Sequence, residues 1–266
     1  MAKLSTLLAS FEKLWPQATA EAWDKPGLML GNGDAEITQV MLSVDVTAEL
    51  VAEAISAGAQ LLITHHPMLL RPVHELGEHT GKGFLIQRAI RGNLAIFAAH
   101  TNADIAPRGV TESLAGAIGM SKLEVLDPQT GHGAIGIVPE QSLLDFARAL
   151  AKILPTTAQG VRVAGDRDRL VSKVALVPGA SDGFLDAALH SGADVFITSD
   201  LRHHPAQDFL ETSNQISGPA LIDIPHWAAE WLWLESAAEQ LAKLHPDVTF
   251  LVSDLRTDPW EFVVLQ

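Results

Sequence analysis

The stretch QVMLSVDVTAELVAEAISAGAQLLITHHP, residues 39–67, decides the fold. Its first eight residues are apolar and β-prone and predict a strand, residues 48–57 carry apolar positions at helical spacing, and LLIT, residues 61–64, predicts a second strand. A strand, a helix and a strand so close in sequence make a βαβ unit with parallel strands. The second strand runs directly into His65 and His66. Both imidazoles are therefore expected at a carboxyl strand end, the edge at which open α/β sheets bind ligands.

Outward from this unit, residues 4–14 predict an amphipathic helix ended near Pro16, and WDKPGLMLGN, residues 23–32, reads as a turn. Downstream, a polar loop through Gly81 leads to a helix over residues 84–91 and a strand, LAIFAA, that ends in HTNAD at residues 100–104. From Gly131 the pattern restarts with AIGIV as a strand, a helix over 142–154 and VRVAG as a strand. The segment KVALVPGASDGFLDAALHSGADVFITSDLRHHP, residues 173–205, then repeats the order of the first unit, down to His-His-Pro. NLAIFAAHTNAD (93–104) is echoed by PALIDIPHWAAE (219–230): an apolar strand ends in a histidine and a carboxylate follows four residues later. We read an internal repeat. The expected fold is α/β, with two related halves of mixed sheets flanked by helices and a metal site in the cleft between them. Its expected parts are 1–128, 129–215, and a C-terminal segment 216–266 that returns to the site, with a last helix over 226–244 and closing strands VTFLV and EFVVL.

The composition, 47% hydrophobic and 19% charged over 266 residues, is that of an ordinary globular chain. Cysteine is absent, which removes disulfides, thiolate metal sites and cysteine nucleophiles. Any metal must sit on His, Asp or Glu. The N-terminal residues lack a leader pattern and no run approaches the ~20 apolar residues of a membrane span, so a cytoplasmic protein without membrane contact is expected. A net charge of −14 with no basic cluster disfavours nucleic acid as a partner.

Three pairs carry the chemistry: His65 with His66, His100 with Asp104, and His226 with Glu230. Positions i and i+4 share a helix face, so His226 and Glu230 can converge on one ion, and His100 with Asp104 can do the same where the chain turns helically. His65 and His66 in an extended segment would point apart and serve two ions. Imidazole with carboxylate suits zinc, iron or manganese, and two such divalent ions per subunit form a clamp for metal-assisted hydrolysis. The plainer reading makes each pair a surface helix contact and the double histidine a polar strand cap. His203 and His204 mirror the first double histidine, so that one of them is a candidate proton donor or substrate contact in the cleft. His74 and His79 fall in a polar loop and are expected in solvent. No nucleophile elbow, P-loop or dinucleotide fingerprint occurs. The run WLWL, residues 231–234, reads as core or subunit interface.

Together LLITHHPMLL, AAHTNAD, VFITSDLRHHPA and DIPHWAAE, with WDKPGLMLGN upstream, resemble the GTP cyclohydrolase 1 type 2 homologue family, also described as dinuclear metal-centre or NGG-one-interacting-factor-three-like proteins. The resemblance covers about residues 23–230. It implies a two-domain α/β subunit with two metal ions in its cleft, assembled into a homohexamer, and a hydrolase acting on a nucleotide, GTP in the family's name. Carried over by position, His65, His66, Asp104, His226 and Glu230 are metal ligands, and His100 and His204 face the metals. Ser199 and Pro225 stand where the family usually has glycine, which leaves the ligands intact and bears on the shape of the pocket. The chain resembles the short form, without the domain inserted in some relatives. The alternative function is a non-catalytic metal-handling protein or a metal-stabilised interaction protein.

Overall fold

A computed structural model describes residues 1–264 and divides into two compact units, Met1–Pro107 with Leu234–Thr257, and Arg108–Trp233 with the segment from Asp258. In chain order the first unit begins with β1 (Ala2–Lys3), α1 (Leu4–Leu14), β2 (Gly27–Leu30), β3 (Glu36–Ile37) and β4 (Gln39–Ser43). It continues through α2 (Ala48–Ser56), β5 (Leu61–Thr64), α3 (Gly81–Arg91), β6 (Ala95–Ala98) and α4 (Thr101–Asp104). Each helix follows from its residues. Leu4, Leu7 and Phe11 form the buried stripe of α1, and Thr47 and Thr80 cap α2 and α3 by accepting the N–H of Leu50 and Gly83.

The second unit contains α5 (Val110–Ala117), β7 (Ser121–Val125), β8 (Ala134–Ser142), α6 (Leu143–Ile153), β9 (Arg162–Ala164) and β10 (Leu170–Ala180). After these come α7 (Leu185–His190), β11 (Val195–Ser199), α8 (His203–Ile216) and β12 (Ala220–Asp223). The long α9 (His226–Leu244) begins in this unit and carries the chain into the first, where β13 (Thr249–Val252) lies.

Each unit is built on a mixed sheet. In the first the order is β13-β4-β5-β6-β2, parallel except for β2, and in the second it is β7-β8-β10-β11-β12-β9, with β10, β11 and β12 parallel. Three parallel strands bordered by one antiparallel strand recur as β4-β5-β6-β2 and β10-β11-β12-β9, which is the repeat read from the sequence. Met41, Leu50, Leu62, Ile86 and Ile96 make the core beneath the first sheet. Ala175, Leu185, Phe196, Phe209 and Leu221 make that beneath the second.

Two expectations need correction. Residues 23–32 are more than a turn, because Gly27–Leu30 forms a strand against β6: glycine and proline hid a segment that a neighbouring ladder recruits. Residues 261–264 of EFVVL form no strand, since no ladder pairs with them, and Phe262 and Val264 are 79% and 78% exposed; Leu265 lies outside the described residues. Within WLWL, Trp233 and Leu234 are fully buried and Trp231 and Leu232 half-buried. Among the described residues no helix is long and apolar enough to cross a membrane.

Candidate metal centre

Strand β5 ends at Thr64, so the pleat that would turn successive side chains apart stops before His65. The ring centres of His65 and His66 are 5.1 Å apart, and each lies within 5.6 Å of the ring of His100, which caps α4 at the end of β6. The three imidazoles offer donor atoms within 4.8 Å of one another. The adjacent histidines thus converge, where an extended segment would have separated them. Asp104, in the single turn of α4, brings Oδ1 to 3.6 Å from His65 Nε2.

An oxygen lies within 3.0 Å of the inner nitrogen of every one of these rings. His65 Nδ1 lies 2.9 Å from the Ala99 carbonyl, which can only accept, so Nδ1 carries the proton and Nε2 keeps its lone pair. His66 Nδ1 is 2.7 Å from Asp45 Oδ1, and His100 Nδ1 is 3.0 Å from Asp24 Oδ2. This is how metal-binding histidines are oriented: the oxygen fixes the tautomer and makes Nε2 the better donor. Asp24, only 4% exposed, also accepts the Thr101 hydroxyl at 2.7 Å, the Thr101 N–H and the Lys25 N–H. Burial raises its pKa, but the hydrogen bonds from His100 and Thr101 and the charge of His100 outweigh that and bring it down to about 2. Asn102 completes the HTN motif, accepting the His100 N–H and donating to the Trp15 carbonyl.

In the second unit His226 and Glu230 occupy the first turns of α9, with Nε2 2.8 Å from Oε1. Asp200, just past β11, holds His226 Nδ1 at 2.7 Å. Its backbone is left-handed at φ 54°, which aspartate tolerates better than most residues. The hydrogen bond from His226 keeps the Asp200 carboxyl below its usual range, against the opposing effect of burial. Burial opposes charge on His226, yet Glu230 and Asp200 together raise its pKa well above the ordinary value. In the metal-free chain the charged ring therefore contributes stability that is complete below about pH 6.5 and is lost as pH rises through the folded pKa. An ion that takes Nε2 must displace that proton. Metal uptake at pH 7 is thus expected to release protons and to tighten as pH rises; titrations in two buffers of different ionisation enthalpy measure this, and a heat independent of the buffer would refute it.

His204 lies exposed in the first turn of α8, its ring 5.1 Å from that of His203, and His74 and His79 are exposed in the loop before α3, as expected. The sequence reading missed Asp24, Asp45 and Asp200. Each sits in a stretch that reads as turn or strand end (WDKPG, SVDV, TSD), and no fixed spacing links it to its histidine.

Over residues 2–259 the chain matches the family described as Duf34/NIF3 (NGG1p interacting factor 3). It is 39% identical to a Streptomyces coelicolor protein named "GTP cyclohydrolase 1 type 2 homolog", across 98% of this chain and 94% of that protein. A Clostridium perfringens protein of the same name is 31% identical, across 98% of this chain and 100% of that one. The solved structure of a Bacillus cereus protein related to NIF3 shares the fold, with a TM-score of 0.91 at 24% identity across 98% of this chain and 99% of the other.

Proposed function

Because the chain belongs to the Duf34/NIF3 family, we propose that it is a dinuclear metal protein, with His65, His66, Asp104, His226 and Glu230 as ligands, and that it hydrolyses a nucleotide. The observation that carries this reading is the set of three converging imidazoles whose inner nitrogens each lie within 3.0 Å of an oxygen. The donor chemistry fits divalent ions of the zinc, iron and manganese kind, there being no thiolate in the chain. The name its relatives bear, GTP cyclohydrolase 1 type 2 homolog, supports a GTP cyclohydrolase type of substrate.

When bound, the ions would supply Lewis acidity and activate water. The chain's own residues orient and move protons. Asp24 Oδ2, 3.0 Å from His100 Nδ1, orients that ring and leaves Nε2 for the donor set. We assign proton exchange with solvent to His204, which is exposed at the start of α8. We also propose a cytoplasmic homo-oligomer, with a hexamer expected from the resemblance; the exposed Trp260 and Phe262 support association.

The test is metal analysis of protein purified without added metal, then assay of GTP, other nucleotides and phosphoesters with the metal found. Two ions per chain and turnover of a nucleotide are expected. Metal-loaded protein inert toward every nucleotide would favour the second reading, metal handling without catalysis. The net charge of −14 favours that reading too, since such a surface repels a triphosphate. Light scattering that gave a monomer at micromolar concentration would remove the oligomer.

A further inference from the structure

Strand β10 ends in Pro178, Gly179 and Ala180, beside the first turn of α9. Gly179 has φ +74°, and a Cβ added there would stand 3.1 Å from Glu230 Oε1, 3.6 Å from His226 Nε2 and 3.8 Å from His226 Cε1. The first of these contacts is too close for an ordinary van der Waals fit. The three nearest neighbours all belong to the facing ends of the His226–Glu230 pair, so the missing side chain leaves clear the space beside the two atoms that would hold an ion.

The backbone is restrained on several sides. The Gly179 carbonyl accepts the buried Thr198 hydroxyl at 3.2 Å, the Ser181 hydroxyl donates to the Pro178 carbonyl at 3.2 Å, and Ala180 pairs with Ser199 beyond the irregularity that follows Leu176. Thr198 is itself fixed, its carbonyl accepting the Ile224 N–H at 2.8 Å. A methyl group at position 179 would therefore displace the Glu230 carboxylate instead. Ligand distances in metal sites are tolerant to only about 0.2 Å, so even a small displacement is felt as lost affinity.

We propose that Gly179 is a positioning residue of the metal centre, whose lack of a side chain keeps Glu230 Oε1 and His226 Nε2 open to an ion. This rests on the metal-binding reading above. The test is zinc or manganese titration of the metal-free full chain, by competition with a chelator, for the wild type, Gly179→Ala and Gly160→Ala. Gly160 also has a left-handed φ, +62°, with open space around it, so it reproduces the backbone strain without the collision. Gly179→Ala is expected to weaken one of the two ions by ~10-fold or more, as changes next to metal ligands do. Gly160→Ala should bind as the wild type does.

Glu230→Asp draws the carboxylate back by one methylene. Combined with Gly179→Ala, it should lose less affinity than the two single penalties together. Wild-type affinity in Gly179→Ala, an equal loss in Gly160→Ala, or purely additive losses in the double variant would each overturn the proposal. So would a metal-free Gly179→Ala that melts far below Gly160→Ala, because the collision would then act on folding. A wild-type chain that takes up no divalent ion would instead overturn the metal-binding reading itself, a different result from a glycine variant that binds normally.

Discussion

Glu230→Gln is expected to leave the chain with at most one of the two divalent ions proposed for it. Glu230 is 2% exposed, so water does little to screen its charge, and its Oε1 stands 2.8 Å from His226 Nε2. Glutamine keeps the size of the side chain and an oxygen, but it removes a negative charge. Two dications repel with four times the energy of two unit charges, and buried carboxylates are what offsets that repulsion. A carboxylate can also contact two ions, whereas an imidazole nitrogen binds one. His79→Ala is the control, since that ring is exposed and its carboxylate neighbour is Glu75, at 3.5 Å. Bound metal per chain, measured for both variants, decides the matter. Two ions retained at unchanged affinity in Glu230→Gln would show that Glu230 is not a ligand.

Asp24→Ala is expected to act twice, on the fold and on the metal. The substitution leaves the Thr101 hydroxyl and N–H without their buried acceptor and removes the carboxylate 3.0 Å from His100 Nδ1. Leaving such donors unmatched costs about 1–3 kcal/mol, which urea denaturation of the metal-free protein would record. Without Asp24, His100 also loses the group that fixes its tautomer, and ion binding should weaken by ~10–100-fold. The acid limb of stability gives an independent signature. Because the folded pKa of Asp24 is about 2, below its ordinary 3.8, its contribution is complete above the higher value and is lost as pH falls toward the lower. Its size is about 2 kcal/mol. The wild type should therefore lose that much more stability than Asp24→Ala between pH 5 and 2, and superimposable acid profiles would refute the assignment.

The βαβ units were legible because their signals are local. Residues 39–64 carry a strand, a capped helix and a strand in the order and periodicity seen in β4, α2 and β5, and residues 173–199 repeat them as β10, α7 and β11. The histidines were legible as well, since a carboxyl strand end is a property of chain direction. The strand formed by residues 27–30 was not, because its backbone pairs with β6 some seventy residues further along and glycine and proline mask its pattern. The segment 261–264 failed the other way: its residues favour a strand, but among the described residues no ladder forms with it.

By itself, then, the sequence determined the parallel α/β halves, the strand ends that carry histidine, and a metal chemistry restricted to imidazole and carboxylate. Each of these follows from periodicity over a few residues or from composition. Only the tertiary structure decided that His65 and His66 converge, because that depends on where β5 stops being extended. It alone matched Asp24 to His100, Asp45 to His66 and Asp200 to His226, across 76, 21 and 26 residues of chain. A hydrogen bond between side chains so far apart in sequence leaves no periodic trace, and its partners meet only when strand ends are brought together by packing.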